Sequence, residues 1–289
     1  MAEKNWIARY LAPLAQGAGA AGLRDDVAQL AVSDPVAITT DAMVEGVHFL
    51  GTDPIDTVAR KLVRTNVSDL LASGAEPAEA LLVLGWPKGR GETEIAAFAA
   101  ALGDELAAWG AELIGGDTVT SPGGLFLSLT LTGRCLRAGP VRRSGAKAGD
   151  DVWLTGTIGA AARAWRDHSR GIPSPFPGSS GTDAYRLPVL PPLATAKLVA
   201  DYASAAMDVS DGLLIDAKAL AEASGVAMEM DLDAVRFAGG ETELAEMLKL
   251  ATWGDDYQTL FTASENNSKL ISREAQNSGI EITCIGKIV

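Results

Sequence analysis

The sequence predicts an α/β protein of two domains. Strand-like and helix-like stretches alternate through both halves of the chain. A segment rich in Gly, Arg and Lys, from 137 to 150, interrupts that alternation and reads as an inter-domain connection. The length, 289 residues, suits one large or two medium domains. The expected division is therefore 1–136 and 137–289.

The elements follow in order. An amphipathic helix is expected over Asn5 to Ala15, then a Gly/Ala loop. Two short strands flank Ser33-Asp34-Pro35, and the second is expected to end at Thr39-Thr40-Asp41. A long helix starts at Asp53-Pro54, with Pro suited to the first turn, and runs to Gly74. Ala80 to Gly85 reads as a strand, and Gly91 to Gly110 as an alanine-rich helix. Leu113-Ile114 leads as a strand into Gly115-Gly116-Asp117, and Leu125 to Thr132 alternates as a strand. The second half restarts with the strand Val152-Trp153-Leu154 and a helix. Gly171 to Pro192 is dominated by Pro, Gly and Ser and reads as a mobile loop. A helix, the segment Met207 to Gly212 and a further helix come next, and strands and helices alternate up to Val289.

Composition excludes several function classes. A net charge of −13 argues against an electrostatic grip on nucleic acid or an anionic membrane. A phosphate ligand would also be repelled unless divalent cations stood between it and the protein. The 2 cysteines have no metal-ligand spacing, and the N-terminus has no apolar signal core. The longest apolar run, near Ala80 to Trp86, is too short to span a bilayer. A soluble protein of the reducing cytoplasm is expected.

The motifs narrow the chemistry. No P-loop and no protein-kinase set occurs. Gly17-Ala18-Gly19-Ala20-Ala21-Gly22 matches a dinucleotide pattern, yet it follows a helix instead of a strand and reads as a loop. A series of aspartates at the ends of apolar segments is more informative: Asp25-Asp26, Asp41, Asp69, Asp117, Asp208, Asp211 and Asp255-Asp256. Singly, each also reads as a cap or turn residue. As a set they suit Mg²⁺, which takes a few carboxylates together with water and substrate phosphates. Gly115 and Gly116 permit close backbone approach to a phosphate or a tight turn. Arg142 and Arg143 offer planar donor forks to a phosphate, or form a solvated basic linker. Only 2 histidines exist. His168 reads as exposed, and His48 lies close enough after Asp41 to meet a substrate.

These segments together resemble the thiamine-monophosphate kinase family, from about Trp6 to Val289. The matching motifs are Asp25-Asp26-Val27-Ala28, Thr39-Thr40-Asp41, Val44-Glu45-Gly46-Val47-His48-Phe49, Asn66-Val67-Ser68-Asp69-Leu70, Gly115-Gly116-Asp117-Thr118, Arg143-Ser144-Gly145-Ala146 and Asp208-Val209-Ser210-Asp211-Gly212-Leu213. The resemblance implies a two-domain α/β (α+β) fold like that of aminoimidazole ribonucleotide synthetase, with the N-terminal sheets of two subunits pairing as a homodimer. It implies Mg²⁺ ligands, for several ions, at Asp26, Thr39, Thr40, Asp41, Asp69, Asp117, Asp208 and Asp211. It implies ATP contacts at Gly116, Asp117, Arg143 and Ser210, and thiamine monophosphate contacts at His48 and Asp255. Asp255 stands in Trp253-Gly254-Asp255-Asp256-Tyr257-Gln258, where the family usually has Gly-Gly-Glu-Asp-Tyr-Glu. The implied reaction is direct in-line phosphoryl transfer to a phosphate oxygen, with no covalent nucleophile. The same resemblance leaves open another ATP-dependent enzyme of that superfamily, or a nucleotide- or metal-binding homologue with impaired catalysis.

Overall fold

The computed structural model describes residues 7–16, 35–169 and 183–289. Asp25, Asp26, the Gly17–Gly22 loop and residues 171–182 of the Pro/Gly/Ser-rich stretch lie outside the described residues. The chain divides into two compact units, 1–70 with 76–134, and 71–75 with 135–289.

The first unit builds its sheet from Val36–Val44 (β1), Ala75–Pro87 (β2), Glu112–Ser121 (β3) and Phe126–Cys135 (β4), in the order β1-β4-β2-β3. β1 runs antiparallel to β4, with Asp41 opposite Leu129, and β2 runs parallel to β3. Two helices, Ile55–Ala72 (α1) and Glu92–Ala108 (α2), supply the apolar residues of the core. Asp53 holds the entry to α1 by accepting from the Leu50 N–H at 2.8 Å, and Pro54 follows it. Val58, Leu62, Val63, Val67, Leu70 and Leu71 recur at helical spacing and are buried. Leu127, Leu129 and Leu131 on β4 are fully buried at period two, as a half-buried strand requires.

Three sequence expectations change here. The helix expected over Asn5–Ala15 is, in its described part, a π-helical turn at Ile7–Leu11 and a 3₁₀ turn at Ala12–Leu14. Pro13 lacks the N–H that an α-helix would need there. β1 does not stop at Asp41 but continues to Val44, because its pairing with β4 persists to Phe126. β3 likewise passes through Gly115-Gly116-Asp117 to Ser121. Gly116 is required by β2 itself, since a Cβ there would lie 1.8 Å from the Leu82 carbonyl oxygen.

The second unit is an antiparallel sheet of Asp150–Thr155 (β5), Ala205–Val209 (β6), Met228–Met230 (β7), Gln258–Ser264 (β8) and Ile282–Ile288 (β9), in the order β6-β8-β5-β9-β7. Its helices are Ala160–Ser169 (α3), Ala194–Tyr202 (α4), Leu213–Ser224 (α5), Leu244–Ala251 (α6) and Ser268–Asn277 (α7). Both faces of the sheet are covered. Val152, Leu154, Val209 and Leu260 pack with Leu213, Leu220, Met247 and Leu250 on one side. Trp153 and Phe261 pack with Leu198, Val199, Ile271 and Ala275 on the other. The segment read as a connection is tied into this unit. The Val141 N–H donates to the Ser73 carbonyl and the Ala206 N–H to the Arg142 carbonyl, both at 2.9 Å. Its Gly145 suits the close approach, because a Cβ there would stand 2.4 Å from the Ser204 carbonyl oxygen.

Candidate active site

In the first unit, Asp41 and Asp69 form a half-buried carboxylate pair. Asp41 projects from the helix-facing side of β1, and Asp69 lies near the end of α1. The Thr39 hydroxyl, two residues before Asp41 on the same face of β1, donates to Asp69 Oδ2. Thr65, one helical turn before Asp69, hydrogen-bonds Asp41. Burial, and then the Asp69 charge, push the Asp41 carboxyl up to about 6 against the Thr65 hydrogen bond. The pair and the hydroxyls beside it offer only hard oxygen donors, a donor set that suits Mg²⁺. Among the described residues no three His, Cys, Asp or Glu side chains converge as a ready-made metal group. Mg²⁺ commonly takes one or two carboxylates and completes its shell with water and substrate phosphates.

Two expected ligands are not beside this pair. Thr40 lies on the opposite face of β1, where its hydroxyl accepts from Thr130 Oγ1 at 3.0 Å. Successive strand residues point to opposite faces, so the Thr40 side chain cannot join Thr39 and Asp41. Asp117 is also on that open face, paired with the exposed Val83. β3 and β1 are the two edges of the sheet, three strand spacings or about 14 Å apart. Within the first unit, Asp41 and Asp117 thus stand on opposite edges and opposite faces of the sheet.

His48 follows β1 in a turn fixed by several anchors. Gly46 N–H donates to the Phe49 carbonyl at 2.7 Å, and Phe49 is buried. Glu45 accepts from the Leu125 N–H at 2.8 Å and from Arg90 at 3.1 Å. His48 Nδ1 accepts from the Val44 N–H at 3.0 Å. The ring proton therefore sits on Nε2, which becomes the atom available to donate to a ligand.

In the second unit the segments 208–216 and 253–258 are hydrogen-bonded together. Asp208 is buried in β6 opposite Thr259, whereas Asp211 is exposed in the turn before α5. The Asp255 N–H donates to the Ser210 carbonyl and the Tyr257 N–H to the Val209 carbonyl, both at 2.8 Å. A Cβ on Gly254 would stand 2.4 Å from the Ser210 carbonyl oxygen, so the two turns meet backbone to backbone. Asp216 accepts from the N–H groups of Asp211 and Gly212 at 3.1 Å each. Burial pushes its carboxyl up to about 6 in spite of those two amides, and the Arg143 charge acts in the opposite direction. Arg143, Ser210, Asp211 and Asp255 thus belong to one neighbourhood.

Asp255 and Tyr257 have positive φ, 69° and 50°, which is rare for residues with side chains. The Tyr257 hydroxyl donates to Asp255 Oδ1 at 3.0 Å. Asp255 and Gln258 line a cavity of about 370 Å³ that faces Pro188 to Pro192. Asp256 accepts from the Gly159 N–H at 2.7 Å, at the start of α3. Asp216 escaped the sequence reading, whereas Asp256 stood among the aspartates of the set and Tyr257 and Gln258 entered only as members of the 253–258 motif. An acid in the first turn after Ser210-Asp211-Gly212 was the available signal for Asp216. Nothing local marks Gln258, whose partners are as far as 103 residues away in sequence.

Residues 24–135 match the N-terminal domain of AIR synthase related proteins, and residues 147–289 match the C-terminal domain. A thiamine-monophosphate kinase from Caulobacter vibrioides is 37% identical over 304 residues, spanning 99% of this chain and 84% of the relative. The chain belongs to the thiamine-monophosphate kinase family. The solved family member from Stenotrophomonas maltophilia has a TM-score of 0.82 at 31% identity, covering 92% of this chain and 87% of that one. A further solved family structure, AaThiL complexed with AMPPCP and TMP, has a TM-score of 0.75 at 26% identity, covering 99% and 88%. Both units share in the family match. The first matched region contains Thr39, Asp41, Asp69 and Asp117, and the second contains Asp208, Ser210, Asp211 and Asp255. Arg143 falls between the two matched regions.

Proposed function

We propose that this chain transfers the γ-phosphoryl group of ATP to thiamine monophosphate, forming thiamine diphosphate and ADP. The observation that carries this reading is 37% identity to a thiamine-monophosphate kinase over 99% of the chain. The AMPPCP and TMP bound to a relative of the same fold name the matching pair of substrates.

The chemistry asks little of acid–base groups. The second pKa of a phosphate monoester is about 6, so the acceptor oxygen is already anionic at neutral pH. The barrier lies in bringing two polyanions together in line. Asp41, Asp69 and the Thr39 oxygen would hold Mg²⁺, whose bound charge would offset that of the transferring phosphoryl group. Asp26, Asp117, Asp208 and Asp211 are the further carboxylates assigned to metal. Gly116, Asp117, Arg143 and Ser210 are assigned to ATP. Arg143 supplies a planar donor fork for phosphate oxygens, and its neighbour Asp216 keeps the Asp211–Gly212 turn in place. His48 donates to the acceptor through Nε2, and Asp255 contacts its cationic portion. No side chain is assigned as a covalent nucleophile.

Two copies pair through the open face of the first unit's sheet. Ile38, Val44, Leu81, Val83, Val119 and Phe126 are exposed on the four strands of that face. Such an apolar surface marks an interaction site. Thr40 and Asp117 lie on it, so they would stand at the subunit junction. No helix among the described residues is long and apolar enough to cross a membrane. A cytoplasmic place accords with Cys135 and Cys284, which form no disulfide.

Purified protein given ATP, Mg²⁺ and a panel of phosphate acceptors, analysed by chromatography, tests the reading. Thiamine diphosphate should form, and the other acceptors should give little or no product. ATP consumption with a different acceptor alone would assign the chain another reaction of the superfamily.

A further inference from the structure

The cavity beside Asp255 is walled on one side by Pro188 to Pro192. Pro188, Pro191 and Pro192 have no N–H to donate, and residues 188–192 form no helix or strand. Val189, in the middle of this wall, is 56% exposed. Its carbonyl accepts a 2.7 Å hydrogen bond from Gln258 Nε2, reaching across from the start of β8.

Gln258 itself is 4% exposed, and its amide is used at both ends. Nε2 also donates to the Asp256 carbonyl at 3.2 Å, and Oε1 accepts from the Thr155 hydroxyl at 3.1 Å. Thr155 Oγ1 in turn accepts from the Thr259 N–H at 2.8 Å. Val189 and Asp256 present only carbonyl oxygens, so the side-chain nitrogen must face them and the orientation of the amide is settled. In this chain, where the family usually carries Glu, the amide nitrogen is what reaches both carbonyls. Gly156, at φ +56°, makes the room: a Cβ there would stand 2.2 Å from Gln258 Oε1.

We propose that Gln258 is a positioning residue for the acceptor, clamping the proline wall at Val189 to the turn that carries Asp255. The clamp fixes the width of the cavity between an apolar wall and a carboxylate. A flat cationic ring suits that combination, with its faces against proline and its charge toward Asp255. The heteroaromatic cation of the acceptor proposed above is of this class, and the inference rests on that reading. Gln258 acts through the wall and the turn and does not touch the reacting phosphates.

Two substitutions remove the amide. Gln258→Leu also shortens the side chain, whereas Gln258→Met keeps its length and loses the donor to Val189. Both should raise KM for thiamine monophosphate about tenfold, the equivalent of one lost hydrogen bond. KM for ATP and kcat should stay within about threefold. Hydrogen exchange of the peptide covering Val189 and Leu190 should quicken in both variants. An unchanged acceptor KM in an active enzyme would overturn the proposal. So would a parallel rise in both KM values with a lower melting temperature, which a purely structural role produces. If the wild type forms no diphosphate, the acceptor reading fails on its own. The exchange measurement then decides the clamp, and unchanged exchange at Val189 and Leu190 in Gln258→Leu overturns it.

Discussion

Asp41 and Asp69 stand close enough for one charge to oppose the other. A cation is what would relieve them, and this makes the pair separable by experiment from the core around it. Asp41→Asn and Asp69→Asn should each lower kcat/KM by about a hundredfold or more if the pair holds Mg²⁺ against the transferring phosphoryl group. Without Mg²⁺, the melting temperature of Asp41→Asn should stay level or rise, because a half-buried like-charge contact is gone. Unchanged turnover in both variants would remove the metal assignment. Asp256 gives a different test. Burial pushes its carboxyl up to about 7, although the amides at the start of α3 pull the other way. The folded state thus keeps its proton where the unfolded chain, with the ordinary value of 3.8, has lost it. Stability from this group is complete below about pH 4 and declines as pH rises through about 7. At about 1.4 kcal/mol per pH unit, Asp256→Asn should flatten the difference in unfolding free energy between pH 5 and pH 7.5 by on the order of 2 kcal/mol. Urea unfolding at the two pH values checks this. At this scale the sequence is legible where contacts are short-range. The alternation of a strand is enough to separate Thr40 from Thr39 and Asp41. The role of Gln258 is not legible, because its bonds to Thr155 and Val189 close only in the folded sheet.

The packing of α1 against α2 rests partly on Glu105, which is buried and accepts from Arg64 at 2.7 Å, Arg60 at 2.9 Å and Trp109 at 3.1 Å. Burial alone would raise its pKa, but these hydrogen bonds bring it below the usual carboxylate value. Glu105→Ala should leave two arginines without their shared acceptor and cost about 3 kcal/mol of stability, with KM values unchanged. Unfolding curves and kinetics on the same preparation check the two halves of that statement. The helices themselves were legible from apolar spacing and from Asp53-Pro54 at the start of α1. Strand lengths were not. β3 absorbs Gly115-Gly116-Asp117 because β2 runs beside it, and glycine, which looks like a turn signal in isolation, is there to admit the Leu82 carbonyl. Gly116→Ala should therefore lower the melting temperature sharply whether or not ATP is present.

For the whole molecule, the two-domain α/β class was readable from the alternation of elements, whereas the order β1-β4-β2-β3 was not. That order sends Asp41 and Asp117 to opposite edges and faces of one sheet. A strand order depends on which pairings win after collapse, and local sequence carries little of that. The open sheet face leads to an assembly prediction. Ile38→Arg, which places a charge at a residue 64% exposed on that face, should shift the protein from dimer to monomer in sedimentation equilibrium. A wild type that sediments as a monomer at all concentrations would contradict the pairing. The central claim is the transfer itself. Phosphorus NMR of purified protein with ATP, Mg²⁺ and thiamine monophosphate reads it directly. Coupled diphosphate signals of thiamine diphosphate should grow in step with ADP, with no inorganic phosphate. ADP accompanied only by inorganic phosphate, or an unchanged thiamine monophosphate signal, would contradict it.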